Sequence, residues 1–224
     1  MSAPGQIVPR HSAPLALDLD TRSAPLRRLW PRALRWIEPY YDRVHLEQAV
    51  VWLLRIDPDA SEPLLVAALT HDMERQFPGG PRLDKRTGAW DDLDYNSRHA
   101  ERSARIVGAW LRDQQTDDAF AARVAALILE HEFGGSEQGN KLQAADSLSF
   151  LDVNGVLAAR WIENGETSLE HALRKLDWMY ERIALPDAQE LARPLYEDSR
   201  ELVIRVAAER ATARESGFPV PGQG

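Results

Sequence analysis

Residues 64–75 read LLVAALTHDMER, an apolar segment that runs into an adjacent histidine and aspartate. Its leucines and alanines precede His71 and Asp72 at spacings of three and four residues, which is the period of an α-helix. The segment is therefore predicted to be a buried helix that brings an imidazole and a carboxylate into the protein interior.

Apolar residues with the same spacing extend in both directions from this segment, and no segment shows the alternation that is typical of a β-strand. The helices predicted from this spacing cover residues 40–56, 62–77, 96–112, 117–133, 141–164, 168–183 and 188–211. The pattern predicts an all-α fold in which one helical domain covers residues 26–215.

The two ends of the chain have a different composition. Residues 1–25 are rich in Ala, Pro and Ser and show no sustained period, so they are predicted to form a disordered arm. Residues 216–224 contain two prolines and three glycines and are predicted to form a flexible tail.

The overall composition excludes several functional classes. The 224 residues include no cysteine, which rules out a disulfide framework, a zinc–thiolate site and thiol catalysis. A net charge of −8 at pH 7 argues against a nucleic-acid partner, because such binding needs an excess of Lys and Arg. No apolar run is long enough to span a bilayer, and the N-terminus lacks the apolar core of a signal peptide, so a cytoplasmic protein without a membrane partner is predicted.

Three more histidines and a second aspartate continue apolar helical faces, namely His45, His99, His131 and Asp146. A single inward histidine is most often a core residue bonded to a backbone carbonyl. A buried ionised carboxylate, however, costs several kcal/mol unless a cation compensates its charge. Two such carboxylates among four imidazoles therefore indicate one or two bound divalent metal ions. Nitrogen and oxygen ligands without sulfur favour Fe, Mn, Co, Ni or Zn over Mg.

In their order along the chain, these residues resemble the H…HD…H…H…D pattern of the HD-domain superfamily of metal-dependent phosphohydrolases, in its two-metal form. The matching segments lie between residues 40 and 180 and include LTHDMER, NSRHAERSARIV, LILEHEF and AADSLSF. The resemblance implies a helical bundle of the HD-domain type. It also implies that one metal is held by His45, His71, Asp72 and Asp146, and a second by His99 and His131, with Asp72 as the bridge.

The activity implied by the resemblance is the hydrolysis of a small phosphorylated metabolite or nucleotide by a metal-bound hydroxide, with Fe or Mn as the expected metal. Asp72 and Arg75 are then the catalytic candidates. Many relatives have Lys at the position of Arg75, and Arg contacts phosphate through two N–H groups but is a poor proton donor. Lys175, Arg182 and Arg98 are candidate substrate-binding residues, and the alternative for each is a surface cation paired with a nearby acid.

Two other functions are compatible with the same ligands. Some two-metal HD proteins are di-iron oxygenases that cleave a C–C or C–P bond with dioxygen, and Tyr40 and Tyr41 could serve an iron site of that kind. A non-catalytic ligand-binding domain would lack one or more metal residues, and none is missing here. Residues 78–94 form a long connection with three glycines and Trp90, and a loop of this length in a compact domain is more often functional than not.

Overall fold

Residues 14–215 are those that the computed structural model of the chain describes, and all regular structure among them is helical. The α-helices are α1 (Ala24–Ile37), α2 (Arg43–Ile56), α3 (Glu62–Thr70), α4 (Leu93–Asp113), α5 (Asp118–Glu130), α6 (Glu137–Ser149), α7 (Gly155–Glu163), α8 (Leu169–Glu181) and α9 (Pro186–Glu215). A short 3₁₀ turn, Met73–Gln76, follows α3, and a π-helical turn, Phe150–Asn154, joins α6 to α7. The predicted all-α, single-domain fold is confirmed. None of the helices in this described part is long and apolar enough to cross a membrane.

Several helices begin at a polar residue whose side chain accepts a hydrogen bond from a backbone N–H of the first turn. These capping residues are Ser23, Asp92, Asp117, Ser136 and Ser168. Such caps satisfy donors that a helix start otherwise leaves without a partner. The local sequence therefore sets where these five helices begin.

Two hydrophobic clusters hold the bundle together, and α6 contributes to both. Leu142 and Ala145 pack into the first cluster with residues of α1 to α5. Ala144 and Leu148, on other faces of the same helix, pack into the second cluster with α7 to α9. Helix α6 is therefore central, and residues on it face the junction of the two halves.

The predicted arm over residues 1–25 is wrong for its described part. Helix α1 begins at Ala24, and Leu15, Leu17 and Leu19 pack against the first hydrophobic cluster. Helix α1 was not predicted because it contains a proline at position 31. The apolar face of this helix, from Leu26 to Ile37, is nonetheless buried. Residues 1–13 and the predicted tail, 216–224, lie outside the described residues.

Two segments predicted as single helices are interrupted. The helix predicted over residues 62–77 ends at Thr70, and the chain then turns through Met73–Gln76. The helix predicted over residues 141–164 contains the π-helical turn Phe150–Asn154. The first interruption directly follows the predicted ligand Asp72, and the second begins four residues after the predicted ligand Asp146. Irregular helical turns of this kind are often functional.

Candidate metal centre

All four predicted histidines and both predicted aspartates meet at one place. His45 lies in the first turn of α2, His71 and His131 follow the last residues of α3 and α5, and His99 lies within α4. The ring centroids of His45 and His71 are 5.3 Å apart, those of His71 and His131 5.2 Å, and those of His99 and His131 5.2 Å. Ligand atoms within 4.8 Å of one another form three overlapping groups, which are His45–His71–Asp72, Asp72–His99–His131 and His131–Glu132–Asp146.

Two of these histidines are oriented by the helix ends on which they lie. The Nδ1 atom of His71 lies 2.9 Å from the carbonyl oxygen of Ala68, and Nδ1 of His131 lies 2.6 Å from that of Ile128. A carbonyl oxygen only accepts, so Nδ1 donates in both rings. In the neutral form of each ring, Nε2 is therefore the atom with the lone pair and the atom that can bind a metal.

The other two histidines are held through side chains. Ser149 Oγ donates to the carbonyl of His45 at 2.7 Å, so it accepts from His45 Nδ1 at 2.9 Å. Nδ1 of His99 donates to Glu74 Oε1 at 2.9 Å, and Arg102 holds the other oxygen of Glu74. This is the usual way in which a partner at Nδ1 fixes the tautomer and orientation of a metal-binding imidazole.

The buried Nε2 atoms provide a test of whether the residues fit a metal. Among residues 14–215, Nε2 of His71 and Nε2 of His131 have no hydrogen-bond partner, although both rings are buried. The nearest carboxylate oxygens are at 3.4 Å, from Asp146 to His71, and at 3.5 Å, from Glu132 to His131, without the geometry of a hydrogen bond. A buried polar atom without a partner costs free energy, and a divalent cation bound by these nitrogens removes that cost. The residues fit a metal.

The two aspartates are ionised in spite of their burial. Burial raises the pKa of Asp72, but the Arg75 guanidinium and His99 lower it more, so the net shift is well below the usual value. Burial likewise raises the pKa of Asp146, and Arg182 and His71 together hold it well below the usual value. Nε2 of His99 lies 2.8 Å from Asp72 Oδ1, and Nε2 of His45 lies 3.1 Å from Asp146 Oδ1. Both carboxylates are therefore available as anionic ligands.

Glu132 belongs to the site although the sequence did not single it out. Its side chain is buried, with Oε1 3.8 Å from His99 Nε2 and Oε2 paired with Arg182. The signal that could have found it is its position four residues after Ile128, which is the spacing that singled out the other ligands. Burial raises the pKa of Glu132, but Arg182, His131 and His99 together lower it well below its usual value, so this third carboxylate is also anionic.

Arg182, predicted to bind substrate, is a buried residue that pairs with two carboxylates. Its side chain is 2% exposed, and its two terminal nitrogens pair with Asp146 and Glu132. Its Nε donates to Ser147 Oγ at 2.8 Å. Every nitrogen of the guanidinium thus has a protein partner, so Arg182 orients the two carboxylates. Arg182 also lines the cleft above the histidines, and its contact with a substrate stays a prediction.

The remaining predicted cations have different environments. Arg98 does not line the cleft above the histidines; its side chain is 60% exposed and pairs with Asp94 at 3.1 Å, and its role in substrate binding stays a prediction. Lys175 does line that cleft, with Nζ 4.9 Å from the ring centroid of Phe150 and 5.4 Å from that of Trp90. Burial lowers the pKa of Lys175 to about 8. Lys175 is therefore mostly protonated at pH 7, and it lines the cleft as a cation.

Arg75 lies at the edge of the metal-binding residues. Its Nε lies 3.0 Å from each oxygen of Asp72, and its Nη1 donates to Tyr95 Oη at 2.8 Å. Tyr40 Oη also donates to Asp72 Oδ2, at 3.0 Å. The side of Asp72 that faces away from His99 is thus covered by a guanidinium and a phenol.

A cleft of about 720 Å³ opens above these residues. Its walls include His45, Asp72 and Asp146 at the base, and residues 77–83 with Trp90 from the long loop that the sequence singled out. The loop is attached to the opposite wall, because Trp90 Nε1 donates to the carbonyl of His171 at 2.9 Å. The volume suits a small molecule rather than a polymer.

Metal binding is expected to release protons at neutral pH. Burial lowers the pKa of His71, but Asp146 and Asp72 outweigh it and raise the pKa to about 9. Below pH 9 the ligand-free protein therefore holds a proton that a metal must displace, and the stability that this proton contributes is full below pH 6.5 and lost as the pH rises through 9. Calorimetric titration with Mn²⁺ at pH 7, in two buffers of different ionisation enthalpy, should show proton release, and affinity should rise by up to about tenfold per pH unit between pH 7 and 9. The variant His171→Gln, which changes a histidine outside the site, should behave like the wild type; binding without proton release would contradict the assignment.

Taken together, the buried His, Asp and Glu clusters could hold metal ions at the base of an accessible cleft. No protein-family model, curated protein or solved structure matches the chain. The function is therefore argued from the residues of the site.

Proposed function

We propose that the chain is a metal-dependent phosphohydrolase that acts on a small phosphorylated metabolite or nucleotide. The observation that carries this proposal is the convergence of four imidazoles and three carboxylates, two of them buried, at the base of a cleft whose wall includes Arg75 and Lys175. The order of the ligands, which resembles that of the HD-domain superfamily, supports the same conclusion.

The proposed cofactors are two divalent ions, with Fe or Mn favoured and Co, Ni or Zn also suited to nitrogen and oxygen ligands. One would be held by His45, His71, Asp72 and Asp146, and the other by His99, His131 and Asp72. When bound, such ions supply acidified water and offset the charge of a phosphoryl group. Glu132 lies beside both His99 and His131 and is a further candidate ligand.

Other residues of the site orient the carboxylates, bind the phosphate and exclude water. Arg182 holds Asp146 and Glu132 in place through both terminal nitrogens, so these carboxylates keep one orientation while substrate enters. Arg75 and Lys175 line the cleft and supply positive charge for the phosphate, with Arg75 able to offer two parallel N–H groups. Residues 77–83 and Trp90 cover the cleft and limit access of bulk water.

A second candidate function is a di-iron oxygenase that cleaves a C–C or C–P bond with dioxygen. The observation that favours it is the hydrogen bond from the buried Tyr40 phenol to Asp72 Oδ2, at 3.0 Å. This places a phenol beside the carboxylate that is proposed to be shared by both metals. A hydrolase has no evident need for a phenol at this position.

The metal requirement distinguishes the two functions. Metal-free protein would be loaded separately with Mn²⁺ and Fe²⁺ and assayed for phosphate release from a panel of monophosphates under nitrogen. A hydrolase needs only a Lewis acid, so turnover with Mn²⁺ in the absence of oxygen is expected. Activity confined to the iron protein, with consumption of dioxygen and a mixed-valence resonance signal, would overturn the hydrolase proposal in favour of the oxygenase.

A further inference from the structure

Asp42 and Asn154 form a buried polar pair on the wall of the cleft. Asp42 is the residue before α2, and Asn154 is the last residue of the π-helical turn. Asn154 Nδ2 donates to Asp42 Oδ2 at 2.8 Å. The other oxygen of each side chain, Asp42 Oδ1 and Asn154 Oδ1, has no hydrogen-bond partner in the described part of the chain, although the residues are only 6% and 3% exposed.

Asp42 occupies the N-cap position of α2, but its carboxylate does not cap the helix. Asp92 and Asp117 occupy the same position before α4 and α5, and each accepts a backbone N–H of its own helix. Asp42 makes no such capping bond, and within residues 14–215 no Lys, Arg or His lies within ion-pair distance of it. A buried carboxylate with one amide donor and no cation lowers the stability of the folded protein. A residue that lowers stability in this way is typical of a binding site.

The pair lies in the same cleft as the metal centre. His45 lies three residues after Asp42, in the first turn of α2. Asp146 lies in the last turn of α6, eight residues before Asn154. All four residues line the cleft, as does Lys175. The residues that line the cleft thus include two cations, Arg75 and Lys175, and the pair Asp42 and Asn154, each with a buried acceptor oxygen that has no donor among the described residues.

We propose that Asp42 and Asn154 bind the protonated amine of a substrate that also carries the phosphate, so that the substrate class is an aminoalkyl phosphate. This inference rests on the proposed phosphohydrolase function and names its substrate. An ammonium group has three N–H donors and a positive charge, so it can satisfy both free oxygens and compensate the carboxylate. A hydroxyl group could donate to only one of the oxygens and would leave the charge of Asp42 uncompensated.

The test measures binding without turnover. Mn²⁺-loaded protein under nitrogen would be titrated calorimetrically with ω-aminoalkyl phosphonates of graded chain length, and with alkyl and ω-hydroxyalkyl phosphonates of matched length. The C–P bond of these probes is not a phosphate ester, so they report affinity alone. The best amine is expected to bind about tenfold or more tightly than its alkyl and hydroxyalkyl counterparts, and Asp42→Asn should abolish this preference. Equal affinities in the wild type, or a preference that survives Asp42→Asn, would overturn the proposal.

A neighbouring carboxylate provides the control. Asp152 is buried in the same π-helical turn, accepts from Trp52 Nε1 at 3.2 Å and does not line the cleft. Asp152→Asn should leave the amine preference unchanged. Asp42→Asn, which removes a buried charge that has no cation, should unfold at a temperature no lower than that of the wild type. A marked loss of stability in Asp42→Asn, with the amine preference retained, would assign Asp42 a purely structural part.

Three further outcomes are informative. Should Asp42→Asn fail to fold, Asn154→Ser removes one of the two free acceptors and is expected to weaken the amine preference in the same direction. Failure of the proposed function has a different signature, in which amine probes are still preferred but no aminoalkyl phosphate is hydrolysed. Hydrolysis of simple alkyl phosphates as fast as of aminoalkyl phosphates, without amine preference in binding, would leave the hydrolase in place and remove the amine subsite.

Discussion

The variant Asp72→Ala is expected to lose activity by about a thousandfold or more and to lose metal from both proposed positions. Asp72 belongs both to the group with His45 and His71 and to the group with His99 and His131. A carboxylate has two oxygens and can serve two cations. His131 also belongs to two groups, but its Nδ1 is bonded to the carbonyl of Ile128, so a single nitrogen remains. Metal content by elemental analysis, with phosphate release by the same samples, provides the measurement.

A matched control for this variant is Asp94→Ala. Asp94 is another aspartate of the chain, but its side chain is 77% exposed and pairs with Arg98 at the surface of α4. Its replacement should change neither metal content nor activity, because exposed ion pairs contribute little. Full metal content in Asp72→Ala would contradict the shared role of this carboxylate, even if activity were reduced.

The variant Arg182→Met is expected to destabilise the metal-free protein by about 3–5 kcal/mol, because it leaves two buried carboxylates without their cation. Asp146 and Glu132 each pair with a different nitrogen of Arg182. Added Mn²⁺ should restore much of the lost stability, since a metal ion compensates the same negative charge. Chemical denaturation, followed with and without Mn²⁺, measures both effects.

Arg174→Met, on the same helix α8, is the control for this prediction. Arg174 is 56% exposed and pairs with the exposed Glu170 at 3.0 Å. Its replacement should cost less than about 1 kcal/mol, with or without metal. A loss of stability in Arg182→Met that is equally small would show that Arg182 is not the cation on which Asp146 and Glu132 depend.

The helical nature of the chain and most of the candidate site could be predicted from local patterns. The spacing of apolar residues depends only on the geometry of the helix to which they belong, so it indicates which side of each helix is buried. His45, His71, His99, His131 and Asp146 were found in this way, and all are buried together. Helix α1 was missed because its Pro31 and the Ala- and Pro-rich segment before it are typical of irregular chain, whereas its burial depends on packing against α3.

Long-range pairs could not be predicted in the same way. Arg182 is 36 residues from Asp146 and 50 from Glu132, and nothing on its own helix distinguishes it from the exposed Arg174. Arg98 lies one residue before a metal ligand in the sequence, yet it points to the surface of α4. Proximity in sequence is therefore a poor guide to the function of a long cationic side chain, because the helix turns by about 100° per residue.

The sequence was sufficient to predict an all-α chain and six inward-facing candidate ligands, because the spacing of apolar residues indicates which side of each helix faces the interior. It could not establish that Arg182 braces Asp146 and Glu132, or that Asp42 meets Asn154, 112 residues later, beside the same cleft. Those contacts depend on which helices pack against each other and at what rotation, with α6 at the junction of both hydrophobic clusters. Helical faces are a property of the local backbone, whereas the pairing of charges across the interior arises only when the helices pack.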